Sequence, residues 1–465
     1  MIRRPLVLAL AFVLAPSLAS AEDLMQTYEL ARAGDPQFSA AEANRLAVRE
    51  GAVQARAQML PQLGGSASLT RNRSDNDGTQ VIGGTPIPGG ASDSSSESTT
   101  RQYGLRLDQM IFDRARFTTL KSQKALSEAS DYQLESAGDN LITRTSAAYF
   151  TVLVQLETLA AAQAAEDAAK KQFDYADKRL EVGLAPITDV YEARAQYESA
   201  RAITILSRNT LEDAYQALAE ITGQPVRNLK GLPMDFQPEL PNALGADDWV
   251  QTAIDNNPAL QAKEYQLASA EADVSTARAG HWPTLYLGGN YGDTNNDGSS
   301  TNNITQATSD YENNARSRSI GVTLSVPIYS GGGVQSGVRQ ALARRDIVQD
   351  ELVQQRRALE RNARNAYQTV VAGISEVEAR RLALVSAQSA YDASNVGLEV
   401  GTRTVLDVLQ NQRTLFEAQR AYAEARYNYL QSRLLLEQAA GTLDAEDVMD
   451  VNRLLTANAE ADVKL

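Results

Sequence analysis

Two carboxylates occupy matching places in a phrase that the chain writes twice. Asp189 lies in "VGLAPITDVY" (182–191) and Asp407 in "VGTRTVLDVL" (400–409), 218 positions apart, each six residues after a glycine. That spacing suits a binding loop or a helix joint. On residue types alone, Asp189, Asp407 and the nearby Arg403 read as helix caps or solvated charges at a helix start. Other reactive chemistry is sparse. His281 is the only histidine, which argues against a histidine-based metal site; beside Trp282 it reads as an interfacial residue. Asp139 and Glu135 lie on helical faces with no partner constellation. No Ser/His/Asp set, phosphate loop or metal spacing occurs, so neither an enzyme nor a cofactor is expected.

The bulk sequence limits what these residues can serve. Arg3 and Arg4, the apolar run "PLVLALAFVLAP" and the small residues Ala19 and Ala21 form a secretory signal peptide, expected to span residues 1–21. The net charge of −14 becomes more negative once those arginines leave, which makes nucleic acid a poor partner. There is no cysteine, so the exported chain holds itself without disulfides and has no thiol for a lipid anchor. No later stretch is apolar enough for a membrane helix, so any membrane role must use strands.

The doubled phrase belongs to a larger echo. Residues 34–63 line up with 256–285, "LDQMIFD" (107–113) with "LSVPIYS" (324–330), and "AAYFTVL" (147–153) with "NAYQTVV" (365–371). The chain therefore reads as two tandem structural repeats, 22–240 and 241–445, followed by a C-terminal tail, 446–465. Each repeat has the order helix, β-hairpin (about 62–112 and 283–329), long helix, helix. The second long run, Val334 to Leu398, spaces its apolar residues by three, four and seven, the seam of a coiled coil. At 1.5 Å per residue it is a rod roughly 100 Å long.

Four short stretches alternate as strands do. "QYGLRLDQ" (102–109) sets Tyr103, Leu105 and Leu107 against Gln102, Arg106 and Asp108, and "SIGVTLSVPI" (319–328) does the same with Ile320, Val322 and Leu324. "QLGGSASLT" (62–70) and "TLYLGGNY" (284–291) follow more loosely. Each is about the ten residues that a tilted strand needs to cross a bilayer, apolar out and polar in. The segments 74–99 and 293–314, rich in Gly, Ser, Asn and Asp, read as solvated loops. Aromatic residues at the strand ends fit an interfacial girdle. The pattern fits an α+β membrane protein, the alternative being soluble hairpins packed on their apolar faces, which would account for the aromatics almost as well. Four strands leave unpaired edges that lipid does not tolerate, so copies must join, whether two, three or four.

Duplicated halves, paired hairpins, rod-length helices, the two VG phrases, "ARYNYL" (425–430) and "GTL" (441–443) together resemble the TolC family of outer-membrane channels, over the whole mature chain. The resemblance implies a homotrimer with a 12-stranded outer-membrane β-barrel, four strands per chain, continuous with a long α-helical coiled-coil periplasmic tunnel. It implies an exit duct for efflux or type I secretion that meets outer-membrane lipid, a periplasmic adaptor and an inner-membrane RND or ABC transporter. The VG phrases then become helix joints at the periplasmic tips, with Val182, Gly183, Val400 and Gly401 meeting the adaptor. Arg403 matches the family's arginine that latches onto the aspartate of the other phrase, here Asp189, with Thr188 beside it. Asp407 matches a lumen-facing aspartate, one of a ring of three at the pore constriction. Two positions depart from the pattern. Gln410 stands where a second aspartate ring is expected, and Leu398 replaces a tyrosine that helps hold the latch. One carboxylate ring and a heavier reliance on Arg403 follow. The alternative is a trimeric coiled-coil surface or adhesin protein anchored by its hairpins.

Overall fold

The computed structural model describes residues 23–460 apart from 83, 185 and 241–243, so the expected signal peptide lies outside the described residues. The first half runs α1 (Leu24–Gly34), α2 (Pro36–Ala57), β1 (Gln62–Ile82), β2 (Thr85–Phe112), α3 (Arg114–Glu181), α4 (Ile187–Thr222) and the short β3 (Lys230–Gly231). The second runs α5 (Ala246–Asn256), α6 (Pro258–Ala279), β4 (Thr284–Asn302), β5 (Ala307–Ser325), α7 (Gly333–Glu399), α8 (Val405–Ala440), α9 (Ala445–Leu454) and β6 (Ala457–Asn458). Proline sets the breaks between α1 and α2 and between α5 and α6, since it cannot continue the hydrogen-bond ladder of a preceding helix. The long helices α3 and α7 contain 68 and 67 residues without an internal proline. α4 and α8 both contain 36 and stop at left-handed glycines, Gly223 and Gly441.

The chain forms two compact units, each drawing on both halves of the sequence. One comprises residues 46–129 and 264–350 and holds an antiparallel sheet of order β1-β2-β4-β5. Its register sets Leu63, Leu107, Gly289 and Ile320 side by side on one face. On the other face, Gly64, Arg106, Asn290 and Ser319 form the neighbouring row. The apolar face is uncovered: Leu63, Ile320 and Leu324 are 73%, 79% and 63% exposed. Among the described residues, the outer edges of β1 and β5 pair with no further strand.

The strands outrun expectation. Segments 74–99 and 293–314, expected as solvated loops, largely continue the ladder, with Ser74 opposite Ser96, Thr99 opposite Asp297 and Asn296 opposite Asn313. Polar composition reports solvated side chains, but a ladder is closed by backbone groups, which any residue except proline supplies in full. At the other end β5 stops at Ser325 rather than 328, because Pro327 has no N–H to pair. In the same unit, α3 and α6 approach through small side chains. Ser122 and Ser269 hydroxyls meet at 2.9 Å, and Thr276 donates to Thr118 at 2.7 Å.

The other unit, residues up to 45 with 130–263 and 351–465, carries the larger core. Leu141, Tyr149, Leu153 and Leu156 of α3 pack with Leu211 and Leu218 of α4 and Leu430 and Leu434 of α8. The described part of the expected C-terminal tail contains a helix and a short strand. Asp444 caps α9, whose Val448 and Val451 are buried, and β6 pairs with β3. Apolar residues three apart in a short acidic stretch are an easily missed helix. No described helix is long and apolar enough to cross a membrane.

Candidate functional site: the paired helix joints

Both long helices end in the same backbone device. Gly183 has φ +75° and Gly401 φ +79°. At the first joint Leu184 N–H donates to the Arg179 carbonyl at 2.8 Å, and Gly183 N–H to Leu180 at 2.9 Å. At the second, Thr402 N–H donates to the Gly397 carbonyl at 2.8 Å, and Gly401 N–H to Leu398 at 3.2 Å. The i→i−5 bond with a left-handed residue between is a Schellman closure, which satisfies carbonyls that a helix end otherwise leaves open. Open space surrounds both glycines, so backbone strain alone demands them. Gly401→Ala is expected to cost about 1–2 kcal/mol and to speed amide exchange at the end of α7. Unchanged exchange there would remove the glycine's role in the joint.

The helices that follow differ in how they start. Thr404 caps α8 in a reciprocal box: its N–H and hydroxyl both donate to Asp407 Oδ2 at 2.9 Å, and Asp407 N–H donates back to Thr404 Oγ1 at 3.2 Å. Those bonds, the backbone one first, hold the Asp407 carboxyl below the usual carboxylate range, with the Arg403 charge adding to them. Asp407 therefore stays ionised well into the acid range. In the first joint the cap position is Pro186, which makes no side-chain cap bond. Proline has neither N–H nor hydroxyl, so Asp189, at the same third position of its helix, is not drawn into a box. Thr188 Oγ1 is its near polar neighbour, at 3.5 Å.

Arg403 and Asp189 form no ion pair with one another among the described residues of this single chain. Arg403 instead lies back along the last turn of α7, and a Cβ on Gly397 would fall 2.6 Å from its Cγ. Gly397 is thus a residue of the site that the sequence reading passed over; its signal was a second glycine one turn before the VG pair. Gln410 is exposed one turn after Asp407, and its carbonyl accepts from Thr414 at 3.1 Å. Val182 and Val400 are 67% and 69% exposed, and Leu184, Ile187 and Leu406 are exposed beside them in sequence. Each joint thus presents apolar side chains and backbone to solvent. No group of metal-ligating side chains occurs among the described residues.

Known proteins are similar to this chain along nearly its whole length. The family model described as "Outer membrane efflux protein" matches residues 27–224 and 249–442. Outer membrane protein TolC of Escherichia coli K12 is 34% identical over 455 residues, covering 97% of this chain and 89% of that protein. The alkaline protease secretion protein AprF of Pseudomonas aeruginosa is 28% identical over 92% of this chain and 86% of its own. The Campylobacter jejuni CmeC outer membrane channel shares the fold with a TM-score of 0.75 at 17% identity, over 96% of this chain and 90% of that one. With both halves matched by one family model and the TolC likeness running nearly end to end, the chain belongs to the outer membrane efflux protein family, a family of channels rather than of enzymes.

Proposed function

We infer that this protein is the outer-membrane exit duct of an efflux or type I secretion system, built as a trimer. The observation that carries this reading is the sheet: one face apolar and uncovered, the other polar, and both edges open. Such a sheet is stable in lipid only when closed, and three copies supply the twelve strands of a barrel with a polar interior. The doubled order of hairpin, long helix and shorter helix supports two tandem repeats, with α3, α4, α7 and α8 forming the wall of a periplasmic tunnel. The exposed valines and glycines of the joints form the tips that receive a periplasmic adaptor, itself coupled to an RND or ABC transporter.

The joints then act as a gate. Asp189, spared from capping by Pro186, is available to Arg403 across neighbouring coiled coils, with Thr188 at its side. Asp407, capped and ionised, forms by threefold symmetry one ring of three carboxylates, with Gln410 adding no second ring. The purified protein in planar bilayers should show discrete, cation-selective openings; a stalk or adhesin would show none. Asp407→Ala should weaken cation selectivity and block by divalent cations, and a reversal potential identical to wild type would exclude the lumen position.

A further inference from the structure

Where α8 ends and α6 begins, α3 and α7 border a cavity of about 550 Å³. Carboxamides of Asn140, Asn257, Asn362 and Gln438 line it, with aliphatic surface from Leu359 and Leu435. One carboxylate joins them. Asp139 of α3 lines the cavity and is only 8% exposed. Its main-chain carbonyl accepts from Thr143 Oγ1 at 3.2 Å, and no cationic side chain pairs with its carboxylate among the described residues. Burial pushes this carboxyl up to about 7, and the neighbouring negative charge of Glu135 adds to the shift. On α1, Tyr28 feels the charges of both Asp139 and Arg32, while the lining groups from α6, α7 and α8 are all uncharged.

The other half of the chain shows what is missing. In the alignment of the two halves, Asp35 and Arg144 hold the places of Asn257 and Asn362. There the Arg144 guanidinium meets the buried Asp35 at 2.5 Å, and Asp35 caps α2 by accepting from Phe38 N–H at 2.9 Å. At the second junction Asn257 still caps α6, accepting from Leu260 N–H at 3.2 Å and donating to the Ala439 carbonyl at 3.3 Å. The arginine is replaced by the shorter Asn362, which leaves room. The positive end of α6 and the negative end of α8 meet here, so their dipoles largely offset and the Asp139 charge decides the sign of the site.

We propose that this cavity binds an organic cation with a guanidinium or primary-ammonium head and a short aliphatic stem. The head pairs with Asp139 and with carboxamide oxygens, and the stem lies against Leu359 and Leu435. The volume is in the range of small-ligand sites, and the site is distinct from the helix joints.

Agmatine, a guanidinium carried on an aliphatic ammonium stem, is the probe. Calorimetric titration into the full-length protein in detergent, at constant ionic strength, should show saturable binding one unit above the Asp139 pKa. It should weaken one unit below, where the carboxyl is protonated. Asp139→Asn should weaken binding about tenfold or more, the loss of one charged hydrogen-bond partner. Asn362→Arg, which restores the side chain of the other junction, should abolish binding while raising the melting temperature. Absence of saturable heat from wild-type protein at millimolar agmatine overturns the proposal, including the case where a neighbouring copy of the chain fills the cavity. Unchanged affinity in Asp139→Asn overturns it equally, since the cation then binds elsewhere.

Discussion

Glu157→Leu is expected to destabilise the protein by about 3 kcal/mol, the lower end of the range for breaking a buried ion pair. Glu157 of α3 receives the Arg426 guanidinium at 2.5 Å and the Tyr427 hydroxyl at 2.9 Å, both from α8. Arg426 is 1% exposed, so removing its carboxylate strands a charge in the core. The cost stays at the lower end because the Pro233 carbonyl still accepts from the guanidinium at 3.2 Å and the Tyr422 ring lies 4.8 Å beneath it. Tyr427 in turn accepts from Leu232 N–H at 3.2 Å, so α3, α8 and the segment after β3 are held at one point. Glu157→Gln keeps an acceptor and should cost less. Pairing Glu157→Leu with Arg426→Met should recover most of the loss, since well-packed apolar pairs often replace buried ion pairs without penalty. Thermal unfolding of the three variants decides it. A melting temperature for Glu157→Leu equal to wild type would mean that the network carries no net stability.

Arg403→Ser is expected to open the channel: larger mean conductance in planar bilayers and greater antibiotic leakage into cells. An exposed ion pair contributes about 0–1 kcal/mol, so three symmetric latches sum to about 3 kcal/mol at most. That corresponds to a shift of up to about 150-fold in the ratio of open to closed forms. Such a margin lies within the differential affinity that a docking partner could supply. Asp189→Asn should reproduce the effect, and the double variant should add little to either single one, as partners in one contact do. Additive effects would show that Arg403 and Asp189 act separately. Conductance unchanged in Arg403→Ser would remove the latch altogether.

How much of this was legible beforehand varies by element for physical reasons. The joints were readable because a left-handed helix end demands glycine, so the VG phrases announce themselves. The difference between their aspartates was equally present, in Pro186 against Thr404, but only the cap geometry shows that one carboxylate is taken and the other spared. "ARYNYL" served as a family signature without a reason; the reason is Arg426 and Tyr427 converging on Glu157 some 270 positions away. The strand ends were underestimated because side-chain polarity says nothing of backbone pairing. Asp139 was read as lying on a helical face with no partner constellation, and no local pattern shows that it is buried. Its burial depends on residues near 257, 362 and 438, which only the fold brings together.

The open edges of β1 and β5 bear on how the protein reaches its place. A lone chain entering a bilayer would carry two rows of unmet N–H and C=O groups into hydrocarbon, at several kcal/mol for each group. Under the proposed trimeric closure, insertion one chain at a time followed by association is therefore disfavoured. For the proposed trimer, closure and insertion are expected to form a single event, whose rate would rise more steeply than linearly with the concentration of chains. On that reading, chains below the level at which partners meet would keep exposed strand edges and apolar faces in water, open to aggregation and to proteases.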